Sequence, residues 1–124
     1  MEYEKQTVVV LGASPKPERY SNQAVRLLQE HGHRVIPVHP AIIEIESIPV
    51  VHALEHIEAP IDTLTVYLSP SISAPLQSAM LKLQPERVIF NPGTENPELK
   101  QALERAGIAV EEACTLVLLN TGQF

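Results

Sequence analysis

The sequence predicts an α/β fold of three layers, doubly wound around a mostly parallel sheet of five or six strands and forming one domain over residues 1–124. Three observations carry that expectation. The first strand-like run, TVVVLGA at residues 7–13, is continuously apolar, where a strand with one wet face would alternate. Strand-like and helix-like segments then follow one another over short links, the pattern of βαβ units. A chain of 124 residues, 44% hydrophobic and 19% charged, has room for one core and too few residues for two of ordinary size.

In chain order, the run at 7–13 is read as a strand buried on both faces, ending at Gly12 in a loop of prolines and charges, GASPKPERYSN. Ser21 is placed to cap a helix whose Ala24, Val25, Leu27 and Leu28 form one apolar stripe, and Gly32 terminates it. RVIPV at 34–38 is a second strand, completing a βαβ unit. TLTVYL at 63–68 is a strand, Pro70 opens a turn, and Ile72, Leu76, Met80 and Leu83 recur at helical spacing before the strand RVIFN at 87–91. Asn96 can cap a helix that begins with Pro97, carries Leu99, Ala102, Leu103 and Ala106 on one face, and closes at Gly107. IAV at 108–110 is the last clear strand.

Two regions are ambiguous by periodicity. Residues 41–60 allow a short strand near Ile48 to Val50 and a helical turn through Val51 to Ile57. The tail CTLVLLNTGQF reads as a short helix, with an edge strand as the alternative.

The formal charge of −6 argues against a nucleic-acid surface, which needs a basic stripe to neutralise phosphates, so an anion site here has to be local. The acidic, polar start MEYEKQ carries neither a secretory signal nor a transit peptide. No apolar run approaches the roughly 20 residues of a membrane helix. The lone Cys114 excludes an internal disulfide, and the cytoplasm is the expected compartment. With five histidines and one cysteine, no structural zinc site is expected.

In a doubly wound sheet the ligand site lies outside the carboxyl ends of the strands. That rule selects GASPKPERYSN, then His39 and Pro40, then Ser69, Pro70 and Ser71, then NPGTEN at 91–96. The first loop has the strongest chemistry. Gly12 permits close backbone approach, the helix near Ser21 offers free N–H groups, and Lys16 and Arg19 add positive charge, a combination suited to phosphate or pyrophosphate. A nicotinamide or flavin dinucleotide is less well served, since two fingerprint glycines are missing and His39 and Pro40 stand where an acidic residue would hold the ribose hydroxyls.

Together, GASPKPERYSNQAVRLL, GHRVIPVHP, FNPGTENPEL and ACTLVLLNTGQF resemble the small stand-alone bacterial CoA-binding proteins, relatives of the CoA-binding domain of succinyl-CoA and acyl-CoA synthetases. The resemblance covers essentially the whole chain, with His39 where the family's phrase usually reads PVNP. It implies a Rossmann-like domain with coenzyme A along the strand-end rim. By position, Gly12, Ala13, Ser14 and Arg19 would cradle the phosphates, and His39 and Pro40 would face the adenosine. Ser69 and Pro70 would line the groove, with Asn91, Pro92 and Gly93 near the pantetheine arm. The resemblance also places Cys114 beyond the last strand, near where a CoA thiol would end, which raises a mixed disulfide with CoA; a small buried thiol needs no such role.

HALEH at 52–56 matches the pattern of inverted zinc peptidases, yet it is short and lies between Pro49 and Pro60, so turn histidines are the expected reading and no metal is assigned. No grouping of nucleophile, base and orienting acid is identifiable. The expected function is binding of CoA or an acyl-CoA as carrier, sensor or partner of a separate enzyme, with a homodimer as a further expectation. The alternatives are an NAD(P)-binding enzyme or sensor on the same scaffold, and a protein-interaction module whose groove is vestigial.

Overall fold

The computed structural model describes residues 4–124. Among them, five strands form one all-parallel sheet: β1 (Thr7–Leu11), β2 (Arg34–Val38), β5 (Thr63–Val66), β6 (Arg87–Phe90) and β7 (Ala109–Glu112). Their order is β2-β1-β5-β6-β7, with Val9 of β1 beside Ile36 on one side and Leu64 on the other. A separate antiparallel hairpin, β3 (Glu44–Ile45) with β4 (Ile48–Pro49), lies between β2 and β5 in the chain.

Side chains alternate across the central strand and so supply two cores. Val8 and Val10 pack with Val25 and Leu28 of helix α1 (Tyr20–Glu30), Ile45 of the hairpin and Leu119 of helix α5 (Thr115–Asn120). Val9 and Leu11 face the opposite layer, with Met80 of helix α3 (Gln77–Leu83), and Leu99 and Leu103 of helix α4 (Pro97–Arg105). Three layers follow, and the continuous apolar run of β1 is buried on both sides from Val8 to Leu11.

The structure departs from the sequence expectation in several places; the strand expected over 63–68 ends at Val66, and Ala106, expected on the apolar face of α4, is exposed. Helix α1 starts at Tyr20 with Arg19 at its cap position, because the Gln23 amide already bonds the Arg19 carbonyl at 3.0 Å; Ser21 therefore sits buried inside the first turn instead of capping it. The segment whose apolar spacing, Ile72 to Leu83, suggested one helix after a turn at Pro70 is instead divided into α2 (Pro70–Ser73), a 3₁₀ turn (Ala74–Leu76) and α3. Pro75 causes the break, since it lacks an N–H and its ring crowds the carbonyl four residues back. Ile72, expected on the buried stripe, is consequently 56% exposed. The last strand starts one residue late, at Ala109, because the Ile108 amide still bonds Leu103 at the end of α4.

Elsewhere local signals hold. The Asn96 side chain accepts from the Leu99 amide at 3.2 Å, and Pro97 opens α4. The region 41–60 forms the hairpin and a 3₁₀ turn at Leu54–His56, and the tail is helical.

At the amino ends of the strands, His33 titrates against the fold. Its Nδ1 accepts from the Gln6 amide at 3.0 Å, and its ring lies 5.3 Å from that of Phe124. Burial, then the charges of Lys5, His31 and Arg87, lower its pKa from 6.5. The unfolded chain therefore takes up this proton first, so the stabilisation is complete above pH 6.5 and declines as pH falls below it. Thermal melts between pH 7.5 and roughly 5.5 should show a decline that His33→Asn, which keeps an acceptor and cannot titrate, reduces; equal declines in both proteins would refute the assignment.

Candidate functional site

The strand order reverses direction at β1 and β5, where the chain leaves to opposite layers through α1 and through α2 and α3. The carboxyl ends diverge there, which is where doubly wound sheets open a crevice. A cleft of about 890 Å³ occupies the position.

One wall is the loop after β1. Gly12 has φ +88°, a left-handed conformation that favours glycine, and a Cβ built there would lie 2.8 Å from Leu68 Cδ2 and 3.2 Å from the Tyr67 carbonyl carbon. The close approach that requires this glycine is thus made by the end of β5. The Gly12 and Ala13 amides both donate to the Val38 carbonyl, tying the loop to β2. Ser14 Oγ accepts from the Lys16 amide at 3.1 Å. Lys16 and Arg19 are exposed on the cleft wall, followed by the first turn of α1, whose leading N–H groups donate to no capping side chain at Arg19, a residue without an acceptor.

The loop after β2 supplies His39 and Pro40. His39 Nδ1 accepts from the Ala41 and Ile42 amides at 3.0 and 3.1 Å, so in the neutral ring Nε2 carries the proton and can donate to a ligand. The apolar part of the lining comes from Tyr67 and Leu68 after β5, Ile72 and Leu76 on the broken helix, Ile42, Ala53 and Leu54. The Tyr67 hydroxyl is buried and has no hydrogen-bond partner among the described residues. Burial raises its pKa above the ordinary phenol range, with the nearby Thr115 hydroxyl pulling partly the other way, so the group stays protonated.

Of the residues selected from sequence, the cleft brings together Gly12, Ala13, Ser14, Lys16, Arg19, Ser21, His39, Pro40 and Pro92. Ser69, Pro70, Asn91, Gly93 and Cys114 stand off its wall. Asn91 is only 2% exposed, and its amide is engaged with Thr65, Val66 and Thr115 in the interior. The Gly93 amide donates to Glu95 Oε1 at 2.9 Å, and Cys114 occupies the cap position of α5. Tyr20 and Thr94 lie in loops that the strand-end rule selected without being singled out, and sequence reasoning missed Ile42, Tyr67, Leu68, Ile72 and Leu76. Tyr67 and Leu68 directly precede Ser69, so the strand-end rule itself could have reached them. HALEH lines the cleft through His52 to Glu55, but its fold is a single 3₁₀ turn, and among the described residues no three His, Cys, Asp or Glu side chains gather to hold a metal.

The lining of the cleft thus combines two cations and the first-turn amides of α1 with a set of apolar side chains. Such a lining suits a ligand that carries both phosphates and less polar groups.

Residues 6–120 match the family described as CoA binding domain. The uncharacterized Bacillus subtilis protein YneT is 28% identical over 103 residues, covering 83% of this chain and 76% of that protein. A crystal structure of an uncharacterized protein is 38% identical with TM-score 0.93, covering 98% of this chain and all of the other. An acetyl-coenzyme A synthetase from Candidatus Korarchaeum cryptofilum, in complex with phosphate and ADP, shares the fold at TM-score 0.76 and 18% identity; 87% of this chain aligns to 25% of that one. No helix among the described residues is long and apolar enough to cross a membrane.

Proposed function

The chain belongs to the CoA binding domain family, and from that premise we propose that the cleft at the carboxyl ends of β1 and β5 binds coenzyme A or an acyl-CoA. The pyrophosphate would lie against Ser14, Lys16, Arg19 and the open first turn of α1, where two cations and free N–H groups meet in a chain of net charge −6. That local concentration of positive charge is the observation that carries the reading. His39 and Pro40 would face the adenosine, with His39 Nε2–H as donor. The pantetheine arm would run along Tyr67, Leu68, Ile72 and Leu76 towards Pro92.

The activity proposed is binding, in the role of a carrier, a sensor or the CoA-holding partner of a separate enzyme. Arg19→Ala and Lys16→Ala should each weaken CoA binding about tenfold and flatten its salt dependence, since each removes a charge beside the phosphates. Glu111→Ala, on β7 and paired with Arg87 at 3.7 Å, should leave affinity unchanged. Unaltered affinity in both cation variants would place the phosphates elsewhere.

A further inference from the structure

The loop between β1 and α1 carries two prolines without N–H groups, Pro15 and Pro17, while its Gly12 and Ala13 amides bond Val38, its Lys16 amide bonds Ser14 Oγ and its Arg19 amide bonds the Lys16 carbonyl. Side chains of the helix α1 that follows hold three of its carbonyls. Asn22, fully buried, donates from Nδ2 to the Ser14 carbonyl at 2.9 Å. Its Oδ1 accepts from Arg26 Nε at 2.8 Å, and Arg26 Nη2 donates to the Pro17 carbonyl at 2.8 Å. Gln23 Nε2 reaches the Glu18 carbonyl at 3.3 Å. The second donor direction of Asn22 meets Glu46 Oε2 at 3.2 Å, in the β3–β4 turn, where Glu46 has φ 50°.

These bonds share one consequence. The carbonyls of Ser14, Pro17 and Glu18 are turned onto α1, and a carbonyl oxygen held by a donor does not face an anion. In a trans peptide the N–H points opposite its carbonyl, so holding the Pro17 oxygen on Arg26 directs the Glu18 N–H away from the helix. Arg26 itself is exposed and stands off the cleft wall.

We infer that Asn22 and Arg26 are positioning residues for ligand binding, a clamp that presets the 14–18 loop with its carbonyls turned away from the phosphates. The inference rests on the cleft being the CoA site. Arg26 contributes through its two hydrogen bonds rather than its charge, and the preset loop spares the ligand the cost of ordering it.

The test compares Arg26→Ala and Arg26→Lys with the parent protein, because exposed Arg26 can change without emptying the core. CoA affinity should fall about tenfold in both variants with the salt dependence of binding unchanged, since lysine keeps the charge and lacks the fork that holds Asn22 and Pro17 together. Hydrogen exchange at the Lys16 and Glu18 amides of the unliganded protein should be faster in both variants. Parent-like affinity in Arg26→Lys, or a loss of affinity accompanied by a flatter salt dependence, would make Arg26 a charge rather than a clamp and overturn the inference. Unchanged exchange at both amides would overturn it too. If the parent protein fails to bind CoA, the reading of the cleft falls, while the exchange comparison still decides whether the clamp orders the loop.

Discussion

Gly12→Ala is expected to lower stability by about 2 kcal/mol and to abolish measurable CoA binding. A non-glycine residue at φ +88° carries a penalty of about 1–2 kcal/mol. To this is added the crowding of the new methyl, 2.8 Å from Leu68 Cδ2 and 3.2 Å from the Tyr67 carbonyl carbon. Leu68 can swing aside, but it lines the cleft, and the backbone of Tyr67 has little freedom at the end of β5. Relief therefore displaces either the cleft wall or the loop that carries Ser14 and Lys16. Urea denaturation and a CoA titration of the same preparation check both effects. A Gly12→Ala protein as stable as the parent, with parent affinity, would show that the contact between the first loop and the end of β5 is dispensable.

Asn91→Leu is expected to lower stability by about 3 kcal/mol. The Asn91 amide donates to Thr65 Oγ1 at 2.7 Å and to the Val66 carbonyl at 2.9 Å, while its oxygen accepts from the Thr115 amide at 2.9 Å. Thr65 and Thr115 are joined directly at 2.8 Å, so one buried network ties β5, β6 and the start of α5. Leucine has a similar volume and no polar atoms, which leaves the Val66 carbonyl and the Thr115 amide buried without this partner. Chemical denaturation gives the size of the loss, and faster hydrogen exchange along α5 locates it. A loss below about 1 kcal/mol would mean that water or local movement replaces the network.

The fold was legible in the sequence where one local signal dominated. A strand buried on both faces has no alternation to disguise it, as at Val8 to Leu11, and the Asn96–Pro97 pair names a helix start through two separate mechanisms. Legibility failed where two local rules competed. Ser21 is a good cap residue, but the Lys16 carbonyl and the Arg19 amide close a turn that starts the helix earlier. The apolar spacing from Ile72 to Leu83 suggested one helix, and Pro75 overrode it.

For the site, the strand-end rule found the loops but could not say which side chains face the cleft. Asn91 lies in one of the selected loops and points into the interior. Tyr67 and Leu68 look like the tail of a strand in sequence and become a wall only once β5 is set beside β1. The clamp on the first loop was also hidden, because Asn22 and Arg26 read as an ordinary polar pair four residues apart on a helix.

Isothermal titration of the protein with coenzyme A tests the central claim most directly. Saturable 1:1 binding is predicted, displaced by acyl-CoA and weakened by Arg19→Ala. Absence of heat at all concentrations, with no competition by acyl-CoA and with NADH binding in its place, would contradict the assignment of the cleft to coenzyme A.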